Sequence, residues 1–195
     1  MPRLFFAVET PRILKPELIK LQDEMAEDFR QMIPAPNAKP EHLAQSHCTI
    51  RFLGYVEESK VERIIAEVGW AIAAAGISPF ECKLTKCGVF PNPRHARVFW
   101  IGLSPEEPFQ QIQRAIDVGL TAAGIHFETE HSLHPHLTLF RFREPYRLPI
   151  DFEFLDRRKD SPIRVISDVL LIESKTLDTG AVHTVRAIFP LGSEP

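Results

Sequence analysis

The chain has 195 residues, 44% hydrophobic and 25% charged, the balance of a globular protein with one compact domain or two small lobes. Its net charge of −3 argues against tracking along duplex nucleic acid, which calls for a basic face, but allows a protein that grips one phosphate with a few local donors. No apolar stretch approaches the roughly 18 residues of a membrane span, and Cys48, Cys82 and Cys87, an odd number without CxxC spacing, make neither a disulfide framework nor a zinc site.

Leu4-Phe5-Phe6-Ala7-Val8 is closed by Glu9 and is too short for a signal peptide, so residues 3–9 read as a first strand and the protein as cytoplasmic. Leu18, Leu21, Met25 and Phe29 recur at helical spacing and predict a helix over 14–33. Pro34, Pro36 and Pro40 follow as a stiff connector. A strand is expected over 47–53, ending at Gly54. A second amphipathic helix is expected over 57–75, with Val61, Ile64, Ile65, Val68 and Ile72 inward. Strand patterns return at 80–87 and 96–103, around a loop at Pro91-Asn92-Pro93. A third helix spans 106–123, with Phe109, Ile112, Ile116 and Leu120 on one face. Residues 136–142 read as a strand and the charged, proline-rich 143–162 as a long loop. Strands at 163–173 and 182–189 close the chain, joined by a hairpin containing Asp178 and Gly180. Strands and helices are not strictly interleaved, which favours α+β with mainly antiparallel sheets.

One short pattern occurs twice. His47-Cys48-Thr49-Ile50 and His136-Leu137-Thr138-Leu139 each place His and Thr two residues apart in an apolar strand, 89 residues from one another. In a strand, residues i and i+2 share a face. Each copy therefore offers an imidazole and a hydroxyl in front and two apolar side chains behind. Side by side, the two strands would present two imidazoles and two hydroxyls to one cavity.

That set suits a phosphodiester. Opening a cyclic phosphate needs a base for water and an acid for the leaving ribose oxygen. Histidine's ordinary pKa of about 6.5 lets one ring be neutral while the other is charged. Threonine hydroxyls can donate to the non-bridging oxygens, and an arginine can balance the remaining charge. Strand parity places Arg51 on the face of His47 and Arg141 opposite His136, so Arg141 reaches the cavity only if its strand bends or ends. His131, His134 and His136 look like a metal set, but no Asp or Cys lies near to complete it, and neither a metal nor another cofactor is expected. His42, His95, His126 and His183 belong to no motif and read as surface residues. Phe90 and Trp100 are core aromatics or base-stacking ones, and Arg157-Arg158-Lys159 a solvated run or an RNA-steering one.

The sequence resembles the two-histidine phosphoesterases, and within them the bacterial and archaeal RNA 2',3'-cyclic phosphodiesterases, also called 2'-5' RNA ligases. The resemblance runs through Arg3-Leu4-Phe5-Phe6-Ala7-Val8, then His47-x-Thr49 into Phe52-Leu53-Gly54, then Gly88-Val89-Phe90-Pro91. It continues through Arg97 to Leu103, Pro135-His136-Leu137-Thr138-Leu139, Glu173-Ser174 and Phe189-Pro190-Leu191. Phe140 and Ser46 depart from it; many relatives have a small residue at the first position and an apolar one at the second. It implies a single bilobal domain over 1–195, two antiparallel sheets facing a cleft with helices outside, and one motif per lobe. It further implies His47 as proton donor, His136 as acceptor, a 2'-phosphate product, and Arg141 assisting Thr49 and Thr138 at the phosphate. The expected substrates are RNA ends or cyclic nucleotides, acted on by a monomer with no membrane or obligate protein partner. Two other readings stand beside hydrolysis. One is the reverse reaction, a 2'-5' ligase joining a cyclic end to a 5'-hydroxyl; the other is a non-enzymatic RNA-binding module.

Overall fold

The computed structural model describes residues 1–9, 15–32, 34–127, 133–149, 164–177 and 180–192. In chain order the elements are β1 (Arg3–Glu9), α1 (Lys15–Gln31), β2 (Ala38–Pro40), β3 (His47–Tyr55), α2 (Glu58–Ala74), β4 (Phe80–Phe90) and β5 (Ala96–Ser104). They continue with α3 (Glu107–Ala122), β6 (His136–Tyr146), β7 (Arg164–Ile166), β8 (Asp168–Leu177) and β9 (Gly180–Pro190). The strands form two sheets, β3-β1-β8-β9 and β2-β6-β5-β4-β7, with every described pairing antiparallel, so the fold is α+β as expected. No described helix is long and apolar enough to cross a membrane.

The helices bury the faces their spacing predicts. Leu18, Leu21, Met25 and Phe29 of α1, Val61, Ile64, Val68 and Ile72 of α2, and Phe109, Ile112, Ile116 and Leu120 of α3 are all buried, with Ile65 partly so. Each such side chain contributes about 1.5–3 kcal/mol by leaving water. Helix α1 rests on the second sheet, where Phe29 meets Phe99, Phe140 and Phe142 edge to face. Helix α2 lies behind the first sheet, Gly69 against the Phe189 ring. Helix α3 reaches the second sheet through Phe109 and Phe80, 5.0 Å between centroids. Helices α2 and α3 then touch one another at Gly119, where a Cβ would stand 2.5 Å from the Val68 Cα. Buried residues of both sheets and all three helices form one continuous apolar cluster.

Three segments differ from the sequence reading. The proline connector contains β2, a short edge strand paired with Phe140–Phe142; its prolines mark an edge rather than a loop. Residues 143–146, assigned to a loop, continue β6 to Tyr146, and the later part of that loop, with Arg157-Arg158-Lys159, lies outside the described residues. The strand expected over 163–173 is two strands parted at Ser167. Ile166 pairs with Phe80 in the second sheet, while Asp168 pairs with Pro190 in the first. The chain thus changes sheets without breaking its apolar pattern. Gly180 opens β9, and Asp178 lies outside the described residues.

Candidate active site

His47 opens β3 and His136 opens β6, and these two strands touch where the sheets meet. The alternation holds through both motifs. Cys48, Ile50, Leu137 and Leu139 are buried behind, and His47, Thr49, His136 and Thr138 are half-buried in front. Each imidazole is fixed by the same local device. His47 Nδ1 lies 2.8 Å from the Gln45 carbonyl oxygen, and His136 Nδ1 lies 2.7 Å from that of His134. A carbonyl only accepts, so Nδ1 carries the hydrogen in both rings and Nε2 is left to exchange a proton.

The rings are braced by aromatic neighbours. His47 has Phe5 at 4.9 Å and His183 at 5.0 Å between centroids. His136 has Phe90 at 5.0 Å and Trp100 at 5.8 Å. The Trp100 indole lies across Gly88, where a Cβ would come within 2.2 Å of it, so only glycine admits the ring there. His183, read as a surface residue, is instead part of the site's wall. Its place on β9 opposite Ser174 comes from sheet order, which no motif in the sequence announces. His42 and His95 are exposed.

Burial pushes both motif histidines below the usual imidazole value. The carbonyl at Nδ1 partly offsets this in each, and at His47 the Glu41 carboxylate does so too. The Arg141 cation lowers both, and His47 and His134 add to the lowering at His136. His183 is lowered by burial first and then by His47. The four neighbours His47, His136, His183 and Arg141 therefore share one electrostatic environment.

Arg141 reaches that environment through a β-bulge. Phe99 pairs with Phe140 and Trp100 with Thr138, which leaves Leu139 unpaired on that side. Leu139 and Phe140 are consecutive buried residues, and the strand's phase shifts by one. Beyond the bulge the odd-numbered residues face outward, so Arg141 joins the face of His136, contrary to simple parity. The same break occurs in β3, where Ile50 is unpaired between Ala7–Thr49 and Phe6–Arg51. It takes Arg51 out of phase with His47, and its guanidinium grips Asp117 of α3 through Nε at 2.8 Å and Nη2 at 2.5 Å. Arg51 borders the cleft but is committed to that pair, whereas exposed Arg141 is held by Glu41 at 2.8 Å.

A cleft of about 1060 Å³ runs between the sheets, lined by Phe52 and Gly54 on one side and by Phe90, Val98 and His136 on the other. His47 is outside that lining, and it is the contact of β3 with β6 that brings the two motifs together. Among the described residues no group of three or more His, Cys, Asp or Glu could hold a metal. The exposed His134 meets His136 through its backbone carbonyl rather than its ring, and His131 lies outside the described residues. The three cysteines are buried thiols, and Cys48, behind the first motif, is pushed up to about 12 by burial, which leaves it inert as a nucleophile.

Comparison with known proteins agrees with this geometry. Residues 13–100 match the family model described as LigT like Phosphoesterase. The chain is 31% identical to an RNA 2',3'-cyclic phosphodiesterase of Methanothermobacter thermautotrophicus, over 97% of this chain and 98% of that one. A second relative of that name, from Methanocaldococcus jannaschii, is 29% identical over 84% and 79% of the two chains. A crystal structure from Thermus thermophilus superposes with a TM-score of 0.78 at 26% identity, covering 99% of this chain and 100% of that one. Escherichia coli LigT in its apo form superposes at 0.72 with 20% identity, over 97% and 96%, and shares the fold. With two antiparallel sheets, a family model matching residues 13–100 and a relative of 31% identity along nearly its whole length, the chain belongs to the LigT-like phosphoesterases, the family of the RNA 2',3'-cyclic phosphodiesterases.

Proposed function

We propose that this protein hydrolyses 2',3'-cyclic phosphate ends of RNA, or cyclic nucleotides, to 2'-phosphomonoesters, with His47 as proton donor and His136 as proton acceptor. The observation that carries this reading is the pair of imidazoles, each with Nδ1 bonded to a carbonyl and Nε2 left for chemistry. His136 Nε2 takes a proton from water as its oxygen attacks phosphorus. The bond from phosphorus to O3' breaks, and His47 Nε2–H delivers its proton to that oxygen. Thr49 and Thr138 donate to the non-bridging oxygens, and Arg141 offsets the charge that develops there. Each proton transfer is worth about 10²–10⁴ in rate. These groups complete the reaction without a metal, and the protein works as a cytoplasmic monomer that needs only a few donors at an RNA end.

Product analysis on a 2',3'-cyclic nucleotide, with and without EDTA, tests this directly. The expected product is the 2'-phosphate, formed at the same rate in chelator. A 3'-phosphate would reverse the direction of opening. Loss of turnover in EDTA, restored by zinc or manganese, would replace acid–base catalysis with metal catalysis.

The pH dependence follows from the shared burial. The donor must be charged, so kcat/KM falls as pH rises through its pKa; the acceptor must be neutral, so kcat/KM falls as pH drops through its own. Both rings lie below the usual value. The bell for kcat/KM is therefore expected to centre on the acid side of about 6.5. The bound phosphate anion favours the charged donor, so the basic limb of kcat should lie at higher pH than that of kcat/KM. The two constants belong to the coupled pair rather than to either ring.

A further inference from the structure

Leu139 is the fourth residue of the second motif, and the bulge there carries Arg141 onto the reacting face. Its carbonyl oxygen accepts two hydrogen bonds, from the Glu41 backbone N–H at 2.8 Å and from the Gln22 side-chain amide at 2.9 Å. The same Gln22 nitrogen donates to the Glu41 carbonyl at 2.9 Å. Both of its hydrogens are thus engaged, one by the bulge and one by the chain that runs alongside. The two segments it joins carry the two side chains of one ion pair, Glu41 and Arg141. Gln22 has a firm base for this, since Leu18, Leu21 and Met25 fix α1 against the core.

The first motif repeats the arrangement. Ile50 is its fourth residue, and the Ile50 carbonyl at that bulge accepts from the Gln113 amide of α3 at 3.4 Å. Each lobe thus sets a helix glutamine on the carbonyl of its bulged motif residue. One turn beyond Gln113, Asp117 holds Arg51, the residue that this bulge turns away from the phase of His47.

We propose that Gln22 is a positioning residue of the reaction: its amide locks the Leu139 bulge to Glu41 and thereby fixes the Arg141 guanidinium beside the two histidines. This rests on the reading of Arg141 as the phosphate contact. Without the amide the Leu139 carbonyl keeps only the Glu41 N–H, and the bulge that aims Arg141 is held less firmly to the segment that carries Glu41.

Gln22→Met keeps the length and removes the donor. It is expected to lower kcat/KM on a 2',3'-cyclic nucleotide by about tenfold to a hundredfold, mainly through KM. Arg141→Ala should cost at least as much, and the double variant no more than Arg141→Ala alone, because the clamp acts only through that side chain. NMR titration of the His47 and His136 rings gives a readout that needs no turnover. The Arg141 cation lowers both pKa values; its displacement should raise both, in Gln22→Met as in Arg141→Ala. Gln22→Leu serves for the same measurements if Gln22→Met does not fold. Effects that multiply in the double variant, or ring titrations unmoved in a folded Gln22 variant, overturn the proposal. A chain inactive on cyclic nucleotides whose titrations move as described would overturn the activity and leave the clamp standing.

Discussion

Replacing His47 or His136 by alanine is expected to lower kcat by about 10²–10⁴, the worth of one positioned proton transfer. Both rings are half-buried rather than core residues, and the apolar cluster behind them consists of other side chains. The variants should therefore fold, with circular dichroism and melting behaviour close to those of the parent. The double variant should be little worse than the weaker single one, because the acid and the base serve one transition state. Rates on purified, folded protein decide the matter. Near-parental turnover in either single variant would remove that histidine from the chemistry.

The second large effect separates the two roles. A phosphodiester whose leaving oxygen is already stable as an anion, such as an aryl ester, needs no proton from the enzyme as the bond breaks. His47→Ala should recover most of its loss on such a substrate, again about 10²–10⁴, since only the donor has been removed. His136→Ala should recover little, because water still has to be deprotonated. Equal rescue of both variants, or rescue of His136→Ala alone, would invert the donor and acceptor while keeping the two-histidine site. The geometry makes this measurement necessary: both rings are held by an identical carbonyl contact at Nδ1, so neither is marked as acid or base by its bonding.

Much of the fold was legible because it rests on periodicity. The three helices lie where apolar residues recur every three or four positions, and the two motif strands where polar and apolar residues alternate. What stayed hidden is what interrupts a period. Simple parity sent Arg141 away from His136 and Arg51 towards His47, and a single unpaired residue in each strand changes both assignments. The apolar pair Leu139-Phe140, in a strand that alternates up to that point, is the trace such a bulge leaves in the sequence. The switch of sheets at Ser167 leaves no trace, since Val165-Ile166 before it and Val169-Leu170 after it both read as strand. His183 was missed because its neighbour His47 is brought to it across β1 and β8, by strand order rather than by spacing.

Gly119 has a mechanical meaning for the whole molecule. It lets α2, which backs the first sheet, lie directly on α3, which is joined to the second, with a Val68 Cα where a side chain would otherwise stand. Because α3 also holds β3 through Gln113 and Asp117, a side chain at this crossing would have to push apart two helices on which both lobes lean, so their spacing depends on a missing methyl group.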